Sequence, residues 1–264
     1  MPQITFGVAS DRGSVRAVNE DSAVVAGTCA AVADGMGGYA GGDVASRIAV
    51  ECIEECAASG LPLRAETLES AIRRANGRIL DAASKGEGRS GMGTTLAGVG
   101  AALIGGTHHW IVFNVGDSRV YRWDAVTLQQ VSVDHSVVEE LVAAGLVATA
   151  EKKTDPRRHI LTRALGSDPA PEVDIWLIPA NPGDRFVICS DGLNTEMADD
   201  QIRDVLVREA DPQRAADTLV RQAVAAGGRD NVTVIVVDHA PTYEPSPSTV
   251  TTQPRNLRVQ GGGL

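Results

Sequence analysis

Three apolar runs in this chain end on aspartate: "AAVAD" at Asp34, "IVFNVGD" at Asp117 and "FVICSD" at Asp191. Another, "GGRDNVTVIVV", begins beside Asp230. Glycine adjoins or lies near each, at Gly35, Gly116, Gly192 and Gly227-Gly228, and "RAVNED" sets Arg16, Asn19, Glu20 and Asp21 just before a further strand. A single Asp-Gly at a strand end is an ordinary turn. The recurrence is a stronger constraint, because carboxylates gathered at one edge of a sheet repel each other unless cations bind between them. The stretch "AAVADGMGGYAGG" (30–42) sharpens the point. Its glycines allow close approach of backbone to a ligand, while Asp34 would repel a phosphate and hold a metal ion.

Strand-like runs recur at 4–10, 29–34, 94–104, 109–117, 119–125, 172–178, 184–191 and 231–238, with Gly105-Gly106 reading as a hairpin turn. Helical periodicity covers 43–58, 65–83, 136–144, 199–209 and 212–226, the last opened by Asp211-Pro212 as cap and first helical residue. Strands and helices do not alternate strictly, so a doubly wound parallel sheet does not fit. Segregated layers do, with helices covering largely antiparallel sheets in an α+β fold. Residues 145–170 carry "TAEKKTDPRRH" and no period, and an irregular insert of that length is often functional. The tail 241–264 is rich in Pro, Ser, Thr and Gly and is expected to be disordered, leaving 1–240 as the folded domain.

The net charge of −10 argues against a nucleic-acid-binding surface, which needs a basic patch. Cys29, Cys52, Cys56 and Cys189 sit among small apolar residues and read as buried thiols. No basic-then-apolar leader opens the sequence, and no apolar stretch approaches the ~20 residues that span a bilayer. A cytoplasmic protein without membrane attachment is the expectation.

The candidate ligands are all oxygen, which favours Mg²⁺ or Mn²⁺ over zinc. His108 and His109 are adjacent in a strand and point to opposite faces. A carboxylate bridging two such ions can hold a water between them, turning it into hydroxide near neutral pH. The same ions then neutralise the oxygens of a phosphoryl group in transfer. Arg16 lies in the right cluster to grip two phosphate oxygens at once.

With those residues in place, the chain resembles the bacterial form of the metal-dependent PP2C-type (PPM) serine/threonine protein phosphatases. The matching stretches are "SDRGSVRAVNEDS" (10–22), "VADGMGGYAGGDVAS" (32–46), "GMGTTL" (91–96), "NVGDSRVY" (114–121), "VDHS" (133–136), "LTRALG" (161–166), "CSDGL" (189–193) and "GGRDNVTVIVV" (227–237). They follow the family's order across about 1–238. The resemblance implies an α-β-β-α sandwich of two central sheets flanked by helices, with two Mn²⁺ or Mg²⁺ ions, or a third besides, in a cleft at one edge. By position it implies that Asp34 bridges both metals, the Gly35 carbonyl binds one, and Asp191 and Asp230 complete the other. Glu20 lies near the second metal, Asp21 orients waters, Arg16 grips phosphate, and Asp117 helps Asp191 hold the third ion. Asn231 fixes the loop beside Asp230, and 145–170 becomes a flap beside the cleft.

Eukaryotic members often carry His where this chain has Met36, so Met36 is assigned packing and no chemistry. The resemblance further implies phosphorylated protein substrates, a monomeric enzyme and an opposing Ser/Thr kinase. The basic Lys152, Lys153, Arg157 and Arg158 are expected to admit the phosphorylated chain. Two competing readings fail on the residues: "GMGGYAG" lacks the acidic strand end of a dinucleotide site, and Cys189 has no following arginine until Arg203. A non-catalytic relative would have lost metal ligands, and none is lost here.

Overall fold

The computed structural model describes residues 3–37, 41–58, 63–88 and 91–240. In chain order the elements begin with β1 (Ile4–Asp11), β2 (Asp21–Ala26), β3 (Cys29–Met36), α1 (Gly42–Ala57) and α2 (Ala65–Lys85). Then come β4 (Gly93–Thr94), β5 (Leu96–Ile104), β6 (Thr107–Val115), β7 (Arg119–Trp123), β8 (Leu128–Gln130) and α3 (Val137–Ala143). The chain continues through β9 (Asp174–Pro179), β10 (Arg185–Cys189), α4 (Asp191–Glu196), α5 (Asp199–Arg208), α6 (Pro212–Ala226) and β11 (Val232–His239). One sheet runs β1-β11-β10-β7-β8, and the other runs β2-β3-β5-β6-β9 with β4 paired to β3. The pairings are antiparallel.

Period-two alternation decides which residues face which layer. Ala30, Val32, Val99, Trp110 and Val112 of one sheet meet Val120, Phe186, Ile188, Ile235 and Val237 of the other. Trp110 stands edge-on to Phe186 with ring centroids 5.2 Å apart. The alternate residues of the same strands face outward: Ala31 and Ala33 pack under Ile53 of α1 and Leu68 and Ile72 of α2. On the far side Val187, Cys189, Val234 and Val236 pack against Ile202 and Val205 of α5 and Leu219 of α6. The layers are therefore helix, sheet, sheet, helix, as the α-β-β-α expectation had it.

The expected elements appear with small shifts, and three features were not expected. β8 has only three residues, and α4 has six, too short for either to show a period. The 145–170 segment is not wholly irregular, since 3₁₀ turns form at Thr149–Thr154 and Pro156–His159. At α6, Asp211 accepts from the Arg214 N–H at 2.8 Å ahead of Pro212, as its sequence suggested. The hairpin at Gly105-Gly106 is also present, both residues having positive φ. No disulfide joins the four cysteines. Among the described residues no helix is long and apolar enough to cross a membrane. The 241–264 tail lies outside the described residues.

Candidate active site

The alternation that builds the inner core also places the acids. Asp34 continues the row Ala30–Val32 and Asp21 the row of Ala23, both on the face toward the opposite sheet. They sit directly across from each other in the β2–β3 ladder. From the other sheet, Ser190 at the end of β10 donates its hydroxyl to Asp21 Oδ2 at 2.8 Å. Where the apolar rows stop, the space between the sheets becomes a cleft rimmed by acids from both.

Each acid is held by its backbone neighbourhood. The Asp34 carbonyl accepts from the Thr95 N–H at 3.0 Å and from the Thr94 hydroxyl at 2.9 Å, while its N–H donates to Thr95 Oγ1 at 3.0 Å. Thr95 Oγ1 also lies 2.6 Å from Ser118 Oγ in a hydroxyl–hydroxyl bond. Gly35 donates its N–H to the Glu20 carbonyl at 3.2 Å, and a Cβ at Gly35 would lie 2.2 Å from the Gly42 carbonyl oxygen. Only glycine fits there. The Gly35 carbonyl oxygen and Glu20 Oε1 both lie within 2.8 Å of where a Gly42 Cβ would stand, so two oxygen donors share one small space at the start of α1.

Asp230 is fixed from two sides. Its Oδ1 accepts from the Asn231 N–H at 2.8 Å and its Oδ2 from Arg16 Nη2 at 2.6 Å. Asn231 is buried and uses its whole amide: Nδ2 donates to the Arg12 and Val18 carbonyls, and Oδ1 accepts from the Glu20 N–H at 2.9 Å. One side chain thus ties the 12–20 loop, with Arg16 and Glu20 on it, to the Asp230 strand. Asp117 follows Gly116, whose φ of +104° is glycine territory.

Like charges in a poorly solvated cleft disfavour ionisation. Burial, followed by repulsion from Asp21, Asp191, Asp117 and Asp230, holds Asp34 well above the usual carboxylate range. Burial dominates at the others too, pushing Asp117 up to about 8, Asp21 to about 7 and Asp191 to about 6. Arg16 is held more firmly protonated by its bond to Asp230.

Two buried oxygens, Glu20 Oε1 and Asp21 Oδ1, have no hydrogen-bond partner. Unpartnered buried acceptors among repelling carboxylates are what a divalent cation would satisfy. Among the described residues no three acidic, His or Cys side chains close on one point. The donor set is open rather than caged, includes a backbone carbonyl, and so fits a hard cation that retains several waters, as Mg²⁺ does.

Beside the acids lies a cavity of about 380 Å³ lined by Asp117, Asp191, Asn194, Lys153, Arg158 and His159 among others. Of the four basic residues expected to line a path for substrate, Lys152 also lines the cavity but is tied to Glu139 and to Asp134, and Arg157 pairs with Asp155 at 2.7 Å. Lys153 and Arg158 are the two that reach the cavity without a carboxylate partner of that kind. Met36 pairs with Gly93 across the β3–β4 ladder and packs there.

The sequence reading missed Thr94, Thr95, Ser118 and Ser190, which hold Asp34 and Asp21. All four stand in stretches quoted above, "GMGTTL", "NVGDSRVY" and "CSDGL", directly beside an acid or in a threonine pair.

The family model for protein phosphatase 2C matches residues 13–226. The serine/threonine phosphatase stp of Listeria welshimeri is 36% identical over 239 residues, covering 87% of this chain and 93% of that one. Among solved structures, the PPM Ser-Thr phosphatase MsPP from Mycobacterium smegmatis, in complex with cacodylate, is 38% identical with a TM-score of 0.77, covering 89% of this chain and 97% of that one. The catalytic domain of the serine/threonine protein phosphatase PstP, in complex with two manganese ions, is 32% identical with a TM-score of 0.78, covering 90% of this chain and 98% of that one. The chain belongs to the protein phosphatase 2C family, among its bacterial serine/threonine phosphatases.

Proposed function

We propose that this cleft hydrolyses phosphoserine and phosphothreonine esters on proteins, using two Mn²⁺ or Mg²⁺ ions held by Asp34, Gly35, Asp191 and Asp230, with Glu20 beside them. The observation that carries the reading is the pair of orphaned oxygens on Glu20 and Asp21 among acids that resist ionisation. When bound, the cations would supply a hydroxide nucleophile from water and neutralise charge on the phosphoryl oxygens. Asp117 with Asp191 would serve a third ion.

The chain's own residues do the rest. Arg16 stands half-exposed at the cleft mouth, bonded to Asp230, and is placed to pass from that carboxylate to two oxygens of an incoming phosphate. Asn231 keeps Arg16 and Glu20 in register with Asp230. Ser190 orients Asp21, and Thr94 and Thr95 fix the backbone of Asp34. Lys153 and Arg158 would receive the flanking peptide as part of a flap over 145–170, within a catalytic domain over 1–240. A bacterial Ser/Thr kinase is the natural opponent of such an enzyme, and three buried thiols accord with a cytoplasmic setting.

The test is hydrolysis of p-nitrophenyl phosphate and a phosphothreonine peptide with Mn²⁺, with Mg²⁺ and with EDTA. Phosphate release that EDTA abolishes and Mn²⁺ restores is expected. No turnover with either metal would refute the reading.

A further inference from the structure

His135 is buried, at 5% exposure, and hydrogen-bonds at both ring nitrogens. Nδ1 accepts the Gly116 N–H at 3.1 Å, so the ring proton sits on Nε2, which donates to Asp174 Oδ2 at 3.2 Å. Asp174 is itself anchored by Arg163 Nη1 at 2.8 Å on its other oxygen. The His135 backbone N–H meanwhile donates to the Gly116 carbonyl at 2.9 Å, an acceptor shared with Asn114 Nδ2 at 2.9 Å. One residue thus grips both the N–H and the C=O of Gly116. That carbonyl belongs to the peptide plane leading into Asp117, and Gly116 occupies a region of φ open to few other residues.

The same residue reaches the far end of the 145–170 segment. Its carbonyl accepts the Thr162 N–H at 2.9 Å, Ser136 bridges to Leu161, and Val137 donates to the Ile160 carbonyl at 2.9 Å. Turn, imidazole and segment end form one hydrogen-bonded run.

We propose that His135 is a positioning residue for the reaction: by clasping Gly116 it aims the Asp117 carboxylate into the cleft, and by its tie to Thr162 it joins that aim to the flap. The inference rests on the phosphatase reading and adds a residue to it. Outer partners that orient metal ligands typically change metal affinity or activity about tenfold or more when removed.

Two substitutions separate the clasp from mere packing. In His135→Asn the Oδ1 takes the place of Nδ1 and can still accept the Gly116 N–H. In His135→Gln the longer amide reaches toward Asp174 and leaves Gly116 without its acceptor. Both lose the ring, so both should lower the thermal midpoint. With p-nitrophenyl phosphate, His135→Gln is expected to cut kcat about tenfold and raise the Mn²⁺ concentration for half-maximal rate by a similar factor. His135→Asn should stay within about threefold of wild type in both, and KM for the aryl phosphate should be unchanged in either. If His135→Gln does not fold, Asp174→Ala frees the ring to turn and should raise the Mn²⁺ requirement about threefold. Equal kinetic losses in the two His135 variants that simply follow their thermal midpoints would overturn the inference, as would wild-type kcat and Mn²⁺ dependence in His135→Gln. An inactive wild type in the same assay refutes the phosphatase reading and this inference with it. An active wild type beside indifferent variants refutes this inference alone.

Discussion

Replacing Asp117 by asparagine removes one negative charge from the cleft while keeping the side chain's shape. Burial, then repulsion from Asp191 and Asp134, push the Asp117 carboxyl from 3.8 up to about 8. Such a group binds more protons folded than unfolded between those two values, so stability falls as pH rises through that window. Below it both states are protonated and the penalty vanishes; above it the penalty is complete. At 1.36 kcal/mol per pH unit the interval sets a ceiling of roughly 6 kcal/mol. Asp117 borders the cavity beside the acids, where water can relax part of the burial penalty, and its neighbouring acids share the repulsion, so a net penalty of ~2 kcal/mol is the working figure. In EDTA at about pH 8, Asp117→Asn should therefore be more stable than wild type by ~2 kcal/mol, or ~4–8 °C in Tm for a chain of this size. Near pH 4 the two should coincide. Urea titrations at both pH values, with unchanged slope, measure the difference. Saturating Mn²⁺ at pH 8 should narrow or reverse it, because wild type alone keeps the full ligand set. An Asp117→Asn variant no more stable than wild type in EDTA at pH 8 would refute the electrostatic account of the cleft.

Asp34→Asn and Asp230→Asn should each abolish metal-dependent phosphate release while circular dichroism stays that of wild type; turnover in both would contradict the ligand assignment. Gly35→Ala drives a methyl group against the Gly42 carbonyl, and we expect a loss of ~2 kcal/mol or more, read by thermal melting, together with weakened Mn²⁺ binding by calorimetry. Asn231→Ala leaves the Arg12 and Val18 carbonyls and the Glu20 N–H unpaired, for a stability cost of about 1–3 kcal/mol and a several-fold rise in KM as Arg16 loses its register. Charge reversal at Lys153 and Arg158 should raise KM for a phosphoprotein more than for an aryl phosphate, whereas Arg157→Glu should leave both KM values unchanged. Equal shifts for the two substrates would remove the peptide-binding role.

The acids were legible because Asp34, Asp117 and Asp191 stand where an apolar run stops, and Asp21 and Asp230 stand where one begins. That Asp34 and Asp21 share a face and stand opposite each other came only with the β2–β3 register. Their supports were no more legible: Thr95 meets Asp34 across sixty-one positions of sequence and Ser190 meets Asp21 across one hundred and sixty-nine, and no local pattern encodes such pairs. The basic stretch could not be sorted into paired and unpaired residues for the same reason. Lys152 looks like its neighbour Lys153 in the sequence, and only the fold brings Glu139 and Asp134 against one of them. α4 escaped notice because six residues make too few turns to reveal a stripe, although it begins at Asp191 itself.

The inner core has a consequence for the chemistry. Asp34 and Asp21 ride on one sheet, Asp230 and Asp191 on the other or just beyond it, and the side chains stacked between them, Trp110 on Phe186 among these, set how far apart the two halves stand. The sandwich works as a calliper whose jaws are the acids and whose screw is the apolar filling. Trimming a methyl group in that filling, far from any phosphate, changes the gauge at the jaws. Packing volume in the middle of the protein and the spacing of the acids at its edge are thus one dimension, and a substitution in the first would be felt in the second.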